Sequence, residues 1–262
     1  MRAKSKTGLG WRKFYTTVLK PNLVRLPGAR RLARQARFVL SPGFRSELRL
    51  QREKPGNLFQ PFRHTALNRY PGIFSFVREA LAGVAVPRVL SFGCSTGEEV
   101  FTLREYLPNA AITGIDINHW NISVCHRRAE RLGHSNMEFR LKADALDEIS
   151  ESYDAVFCMA VFRHGGLSEG NAPGCDHLIR FEDFERTLAE IDRCLKPGGY
   201  LSVMHSNFRF CDTEISKNYE TVLTLDREQQ PSGVPLYGRS NRKLVEAVYN
   251  AVVFQKRRIK PG

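Results

Sequence analysis

Arg88-Val89-Leu90-Ser91-Phe92-Gly93-Cys94-Ser95-Thr96-Gly97-Glu98-Glu99 is the stretch that decides the fold of this chain. A short apolar run, Arg88 to Phe92, reads as a strand and passes into a turn that holds two glycines. Glu98 to Tyr106 then has helical spacing, with Val100, Leu103 and Tyr106 on one side. A strand that feeds a helix through a glycine turn is the opening of a βαβ unit, the building block of parallel sheets. Gly93 and Gly97 let the backbone bend tightly and approach a ligand with no Cβ in the way. The amides at the start of the helix favour an anionic or polar group. A plain strand-to-helix turn is the competing reading.

Outward from this stretch the alternation continues. Phe74 to Leu81 reads as a helix before it. After it come a strand over Ala111 to Ile115, a helix over Asn121 to Leu132, and strands over Met137 to Leu141 and Ala155 to Met159. A long helix from Phe181 to Leu195 carries apolar Phe184, Leu188 and Ile191. It closes on Lys196-Pro197-Gly198-Gly199, and the strand Tyr200 to Met204 follows. Thr221 to Leu225 and Ala251 to Gln255 read as two last strands, with a helix from Asn241 to Tyr249 between them. The fold class expected is α/β: a doubly wound, mostly parallel, seven-stranded Rossmann-like sheet, here over residues 64–262.

In such a sheet the ligand crevice lies outside the carboxyl ends of the strands, where strand order reverses. Asp116 ends the second strand, with Ile117 beside it. Its carboxylate can accept hydrogen bonds from the vicinal hydroxyls of a ribose, or it can cap the next helix. Asp144, with Ala145, follows the third strand and could accept from an adenine amino group or stand in an ordinary turn. Met159 ends the fourth strand.

Taken together, these residues resemble the class I S-adenosylmethionine-dependent methyltransferases over about residues 65–258, and Lys196-Pro197-Gly198-Gly199 before the fifth strand is frequent in that family. The resemblance implies S-adenosyl-L-methionine as cofactor, held on Gly93, Cys94, Ser95 and Gly97, with Asp116, Ile117, Asp144, Ala145 and Met159 further along the crevice. The turn is most similar to one branch, the chemotaxis-receptor glutamate O-methyltransferases. Upstream, the segment from Thr65 through Arg69, Pro71 and Phe74 resembles that branch's TxxFR-x-P-x-x-F stretch. By that resemblance Thr65 and Arg69 would hold the methionine carboxylate and Glu98 the ammonium, both charge-assisted pairs. At the end of the fourth strand the sequence departs from the branch: Ala160 stands where it has an Asn, and its Tyr is missing. An oxygen acceptor, carboxyl or hydroxyl, is therefore expected, but not specifically a receptor.

The connection from Arg163 to Arg180 is long for an ordinary loop, and loops of that length are usually functional or disordered. It offers His164, Asp176 and His177 as bases, His164 nearest the strand end; a surface histidine is the plainer reading of His164. Rival functions remain. Gly93 to Gly97 also fits the GxSxG elbow of serine hydrolases, with Ser95 as nucleophile and a downstream His205, but no convincing strands precede it. A nicotinamide dehydrogenase would need a third glycine that is absent. The fold could also serve as a non-catalytic binding module, or act on RNA.

Charge divides unevenly along the chain. Residues 1–63 hold sixteen Lys and Arg against two Glu, whereas residues 64–262 hold twenty-four against twenty-five acids, so the +13 net charge belongs to the N-terminal extension. Trp11 to Leu19 and Ala29 to Leu40 are short amphipathic helix candidates in it. A basic helical extension suits an anionic membrane surface, RNA through about residues 1–55, or organelle targeting; a solvated tail is the plain alternative. The six cysteines show no CxxC spacing, which points to reduced thiols and to no metal site. With no apolar run of membrane-spanning length, a cytoplasmic protein is expected, in one reading peripheral to the inner membrane.

Overall fold

The computed structural model describes residues 41–53, 57–63, 65–133, 136–168, 172–226, 234–245 and 249–258. The two amphipathic candidates at Trp11 to Leu19 and Ala29 to Leu40 lie outside these residues. The chain divides into two compact units, residues 1–48 and 49–262. Of the first, residues 41–48 are described, and all but Ser41 belong to helix α1 (Pro42–Glu53).

The second unit is built on a seven-stranded sheet. Its strands are β1 (Arg88–Phe92), β2 (Ala111–Asp116), β3 (Met137–Leu141), β4 (Tyr153–Met159), β5 (Leu195–Met204), β6 (Tyr219–Thr224) and β7 (Ala251–Lys256). Their order is β3-β2-β1-β4-β5-β7-β6. The first five run parallel, and β7 is antiparallel to both β5 and β6. The chain winds outward from β1 to β3, returns, and winds the other way through β4 and β5, so strand order reverses between β1 and β4.

Helices α2 (Pro71–Ala80), α3 (Glu98–Tyr106) and α4 (His119–Leu132) share one hydrophobic cluster with Val89, Ile112, Ala155 and Phe157. Helix α5 (Phe181–Cys194) joins Leu90, Phe92, Val156, Cys158, Leu201 and Val203 in the other. Successive strand residues thus enter opposite clusters, as the pleat requires, and β4 is buried along its whole length. Local chemistry sets the helix ends. Asn118 caps α4 by accepting from the Trp120 and Asn121 amides, and Gly133 ends it in the left-handed conformation at φ +68°. Pro71 stands at the first turn of α2, where its missing N–H costs nothing.

Two expectations are corrected. The Lys196 to Gly199 stretch does not merely precede the fifth strand. β5 begins at Leu195 opposite Tyr153, and these residues bulge out before pairing resumes at Ala155 and Tyr200. The helix expected from Asn241 is absent over residues 241–245. Asn241 adopts φ +60°, and Arg242 and Lys243 form β-bridges with Gly174 and Tyr237. Tertiary bonds override local propensity there: the Asn241 side chain accepts from the Phe181 amide at 2.6 Å and donates to the Glu182 carboxylate. Residues 246–248 of that expected helix lie outside the described ones. Among the described residues, no helix is long and apolar enough to cross a membrane. All six cysteines are free thiols, and five of them are buried.

Candidate functional site

The glycine turn is stitched to the neighbouring strand. Gly93 and Cys94 both donate their amides to the Ile115 carbonyl at 2.9 Å, and Ser95 donates its amide to Asp116 Oδ2 at 2.9 Å. Three residues of the turn, Gly93, Ser95 and Gly97, lie at positive φ. With those amides occupied, the turn offers a ligand bare backbone rather than a row of donors. Gly97 acts through packing. A Cβ there would meet the Phe101 ring at 2.8 Å and Cys125 Sγ at 3.1 Å, at a φ of +90° that disfavours any side chain. Gly97→Ala is expected to lower stability by about 1 to 2 kcal/mol, read as an earlier urea midpoint at an unchanged slope.

An open cavity lies at the carboxyl ends of β1, β2 and β4, roofed by residues 57–63 and by the segment leading into α2. Of the residues expected from the sequence, it brings together Thr65, Arg69, Gly93, Cys94, Ser95, Asp116, Ile117 and Met159. Others are not on its wall. Glu98 accepts from Thr96 Oγ1 at 2.7 Å and faces Arg128 at 3.6 Å, while its neighbour Glu99 lines the cavity. Asp144 makes a turn bond from the Leu146 amide, and Ala145 is buried in the core; Lys142 and Ala143 take their place on the wall. His164 lines a separate cavity with Asp176 and His177, across residues 58–62. Its Nδ1 is occupied by the Gly166 amide. No local pattern marks the turn at Ala160, at φ +59°, that takes the chain out of the sheet just before it.

Asp116 is the centre of the site. Its Oδ1 accepts from the Asn118 amide at 2.8 Å and Asn121 Nδ2 at 3.0 Å, and its Oδ2 from Ser95. A carboxylate has about four acceptor positions, so three are already used and one remains for a ligand hydroxyl. Burial pushes its pKa up, against the pull of these bonds. The helix cap is Asn118, not Asp116. Ser95 Oγ and Asn121 Oδ1, both on cavity residues, are buried without a hydrogen-bond partner among the described residues. Such orphaned atoms suit a polar ligand that completes them.

Glu99 was missed by sequence reasoning because two adjacent acids open the helix and only its rotation says which one points inward. Its carboxyl is bonded by Ser91 Oγ at 2.7 Å, and burial raises its pKa to about 7. Tyr70 also lines the cavity and donates its hydroxyl to, or accepts from, His205 Nδ1 at 2.6 Å. Burial, helped by Arg69 and Arg163, lowers the His205 pKa to about 4, so its ring is neutral. That pairing also removes the hydrolase reading: among the described residues no histidine is hydrogen-bonded to Ser95, whose hydroxyl is buried.

Residues 87–243 match the family model described as "Methyltransferase domain". The chain is 31% identical over 139 residues to a tRNA (guanine-N(7)-)-methyltransferase of Chloroflexus aggregans, covering 53% of this chain and 60% of that protein. It is 32% identical over 136 residues to a fatty-acid O-methyltransferase of Mycolicibacterium smegmatis, covering 51% and 42%. It thus spans between 42% and 60% of the length of these two relatives. Among solved structures, the plantazolicin methyltransferase BpumL in complex with S-adenosylhomocysteine is 17% identical, covers 64% of this chain and 55% of that one, and has a TM-score of 0.38. With the family model spanning the glycine turn, Asp116 and the sheet through β5, the chain belongs to the S-adenosylmethionine-dependent methyltransferases.

Proposed function

We propose that the protein transfers the methyl group of S-adenosylmethionine to an oxygen atom, carboxyl or hydroxyl, of its acceptor. The observation that supports the cofactor in this reading is the set of polar and charged groups on one cavity wall. Asp116, with one acceptor position left, stands where ribose hydroxyls would bind. At the other end, the half-buried Glu99 and the guanidinium of Arg69 complement an ammonium and a carboxylate. Glu99 replaces Glu98 in the ammonium role, because Glu98 is turned to Thr96 and Arg128. The bound cofactor supplies a methyl group on a sulfonium, which leaves as a neutral thioether. The protein's own work is to hold the acceptor oxygen in line with that methyl group and to keep water out. Phe59 supports exclusion of water: it is buried, lies on the cavity wall and packs edge-on against Phe162 at 5.1 Å.

An oxygen acceptor is supported by the likeness of the turn to glutamate O-methyltransferases and by the match to a fatty-acid O-methyltransferase. The test is methyl transfer from labelled S-adenosylmethionine to a panel of carboxylic acids, sugars and lipid hydroxyls, with products identified by mass spectrometry. A base-labile methyl ester or a base-stable methyl ether is the expected product. A methyl group found on nitrogen or carbon would overturn the acceptor assignment.

A further inference from the structure

We propose that the acceptor carries an anionic group, a carboxylate or a phosphate, and that Arg163 receives it beside the methyl-transfer cavity. This rests on the cofactor reading above in one respect: there Arg69 is committed to the methionine carboxylate, which leaves Arg163 for the acceptor.

The geometry begins where β4 and β5 leave the sheet. Ala160 and His205 both lie in the left-handed region, at φ +59° and +53°, and the Ala160 amide donates to the carbonyl of Met204, the residue before His205. Two non-glycine residues held in that conformation at adjacent strand ends store backbone strain, and such strain clusters at functional sites. The turns bring together Tyr70, His205, Arg69 and Arg163. Tyr70 is bonded to His205, the Arg69 guanidinium lies 5.3 Å from the Tyr70 ring, and Arg163 is close enough to both arginine and phenol to feel their charge. Three residues before Arg163, Ala160 lines the cavity, as does Val161.

The charge of Arg69 is partly offset by Glu99, but Glu99 does not act on Arg163. Burial first, and then the like charge of Arg69, press against protonation of Arg163. Its Nη2 donates to Ser168 Oγ at 3.0 Å, but its Nε is buried with no acceptor, and no carboxylate forms an ion pair with it among the described residues. The nearby histidine cannot share the load by accepting a negative partner, since its ring is neutral and tied to Tyr70. A half-buried guanidinium whose Nε–H is buried and unused is costly, and an incoming oxyanion that takes this donor repays that cost. A neutral acceptor would leave it unsatisfied.

The test uses the full chain saturated with S-adenosylhomocysteine, so that the cofactor's carboxylate is already in place, and titrates it with inorganic phosphate and, separately, with acetate. The readout is the pH titration of the His205 ring by NMR, because an anion at Arg163 offsets the arginine charges that add to burial in depressing it. Saturable binding of either anion, with a higher His205 pKa, is expected, and the tighter of the two identifies the class of group. Arg163→Gln should weaken that binding about tenfold or more, and Arg163→Lys should restore part of it. Affinity for S-adenosylhomocysteine should stay within about twofold in both variants. Equal anion affinity in Arg163→Gln, no saturable anion effect, or a parallel loss of S-adenosylhomocysteine binding would overturn the proposal. Failure of the wild type to bind S-adenosylhomocysteine would instead remove the cofactor reading, and phosphate titration of wild type against Arg163→Gln would still report on Arg163.

Discussion

Replacing Glu99 with glutamine is expected to abolish a fall in stability of about 3 kcal/mol that the wild-type protein undergoes as pH rises from 4.5 to about 7. Burial holds the Glu99 carboxyl at about 7, against an ordinary value of 4.5, and the Ser91 hydroxyl and Arg69 pull it down only in part. The sign follows from proton counting. Between those two values the folded protein retains a proton that the unfolded chain has released, so the folded state binds more protons and loses stability as pH increases. The contribution is complete below pH 4.5, is lost on the way to 7, and is constant above that. Urea unfolding at several pH values, taken as the difference between wild type and Glu99→Gln, isolates this one group. Cofactor binding should run the other way. An ammonium placed against Glu99 favours the ionised form, so affinity for S-adenosylhomocysteine should climb by up to about tenfold per pH unit below 7 and then level off. In Glu99→Gln the climb should vanish. Parallel stability curves for the two proteins would show that Glu99 is not the titrating group, and a pH-independent affinity in the wild type would remove its role toward the ammonium.

The contrast between Glu98 and Glu99 shows where a sequence stops being informative. The sheet was legible because its signals are periodic and redundant: seven apolar runs, a glycine turn after the first, and helical spacing between them. Strand order at the switch point then fixes the cavity's location by topology alone. What lies on the wall depends on rotation. Adjacent helix residues differ by about 100° in direction, so Glu-Glu at the start of α3 leaves the choice open, and packing of Val100 and Leu103 into the core settles it. The misplacement of His164 has a different origin. Its distance along the chain from β4 points to the strand end, whereas past the left-handed turn at Ala160 only Val161 still lines the first cavity and His164 lies in another. The same kind of turn at His205 gathers a histidine that no local pattern marks, 135 positions from its partner Tyr70. The helix expected after Asn241 failed because the asparagine is used as a tertiary clamp on α5.

Asp116→Ala should produce the second large effect, and it should act on fold and ligand together. The carboxylate ties three separate pieces of chain: the glycine turn through the Ser95 amide, the exit from β2 through the Asn118 amide, and α4 through Asn121 Nδ2. Removing it strands three buried donors, each of which ordinarily gains about 1.5 to 3 kcal/mol from a charged acceptor. The net loss is smaller than their sum, since burial disfavours the ionised carboxylate and its removal recovers that penalty. A fall in unfolding free energy of about 2 to 4 kcal/mol is therefore expected. Affinity for S-adenosylhomocysteine should drop by a further 1 to 3 kcal/mol, roughly five- to 150-fold, because a ribose hydroxyl loses its acceptor and the turn that carries the cofactor loses its anchor. Asp116→Asn separates the two contributions. Its single carbonyl oxygen can keep the Asn118 and Asn121 donors, so stability should recover more fully than affinity, the amide NH2 now opposing the Ser95 N–H beside the ligand. Calorimetric titration and urea unfolding of both variants read these quantities independently. Wild-type affinity in a folded Asp116→Ala protein would mean that the carboxylate serves the architecture alone, and that the adenosyl group is held elsewhere in the crevice.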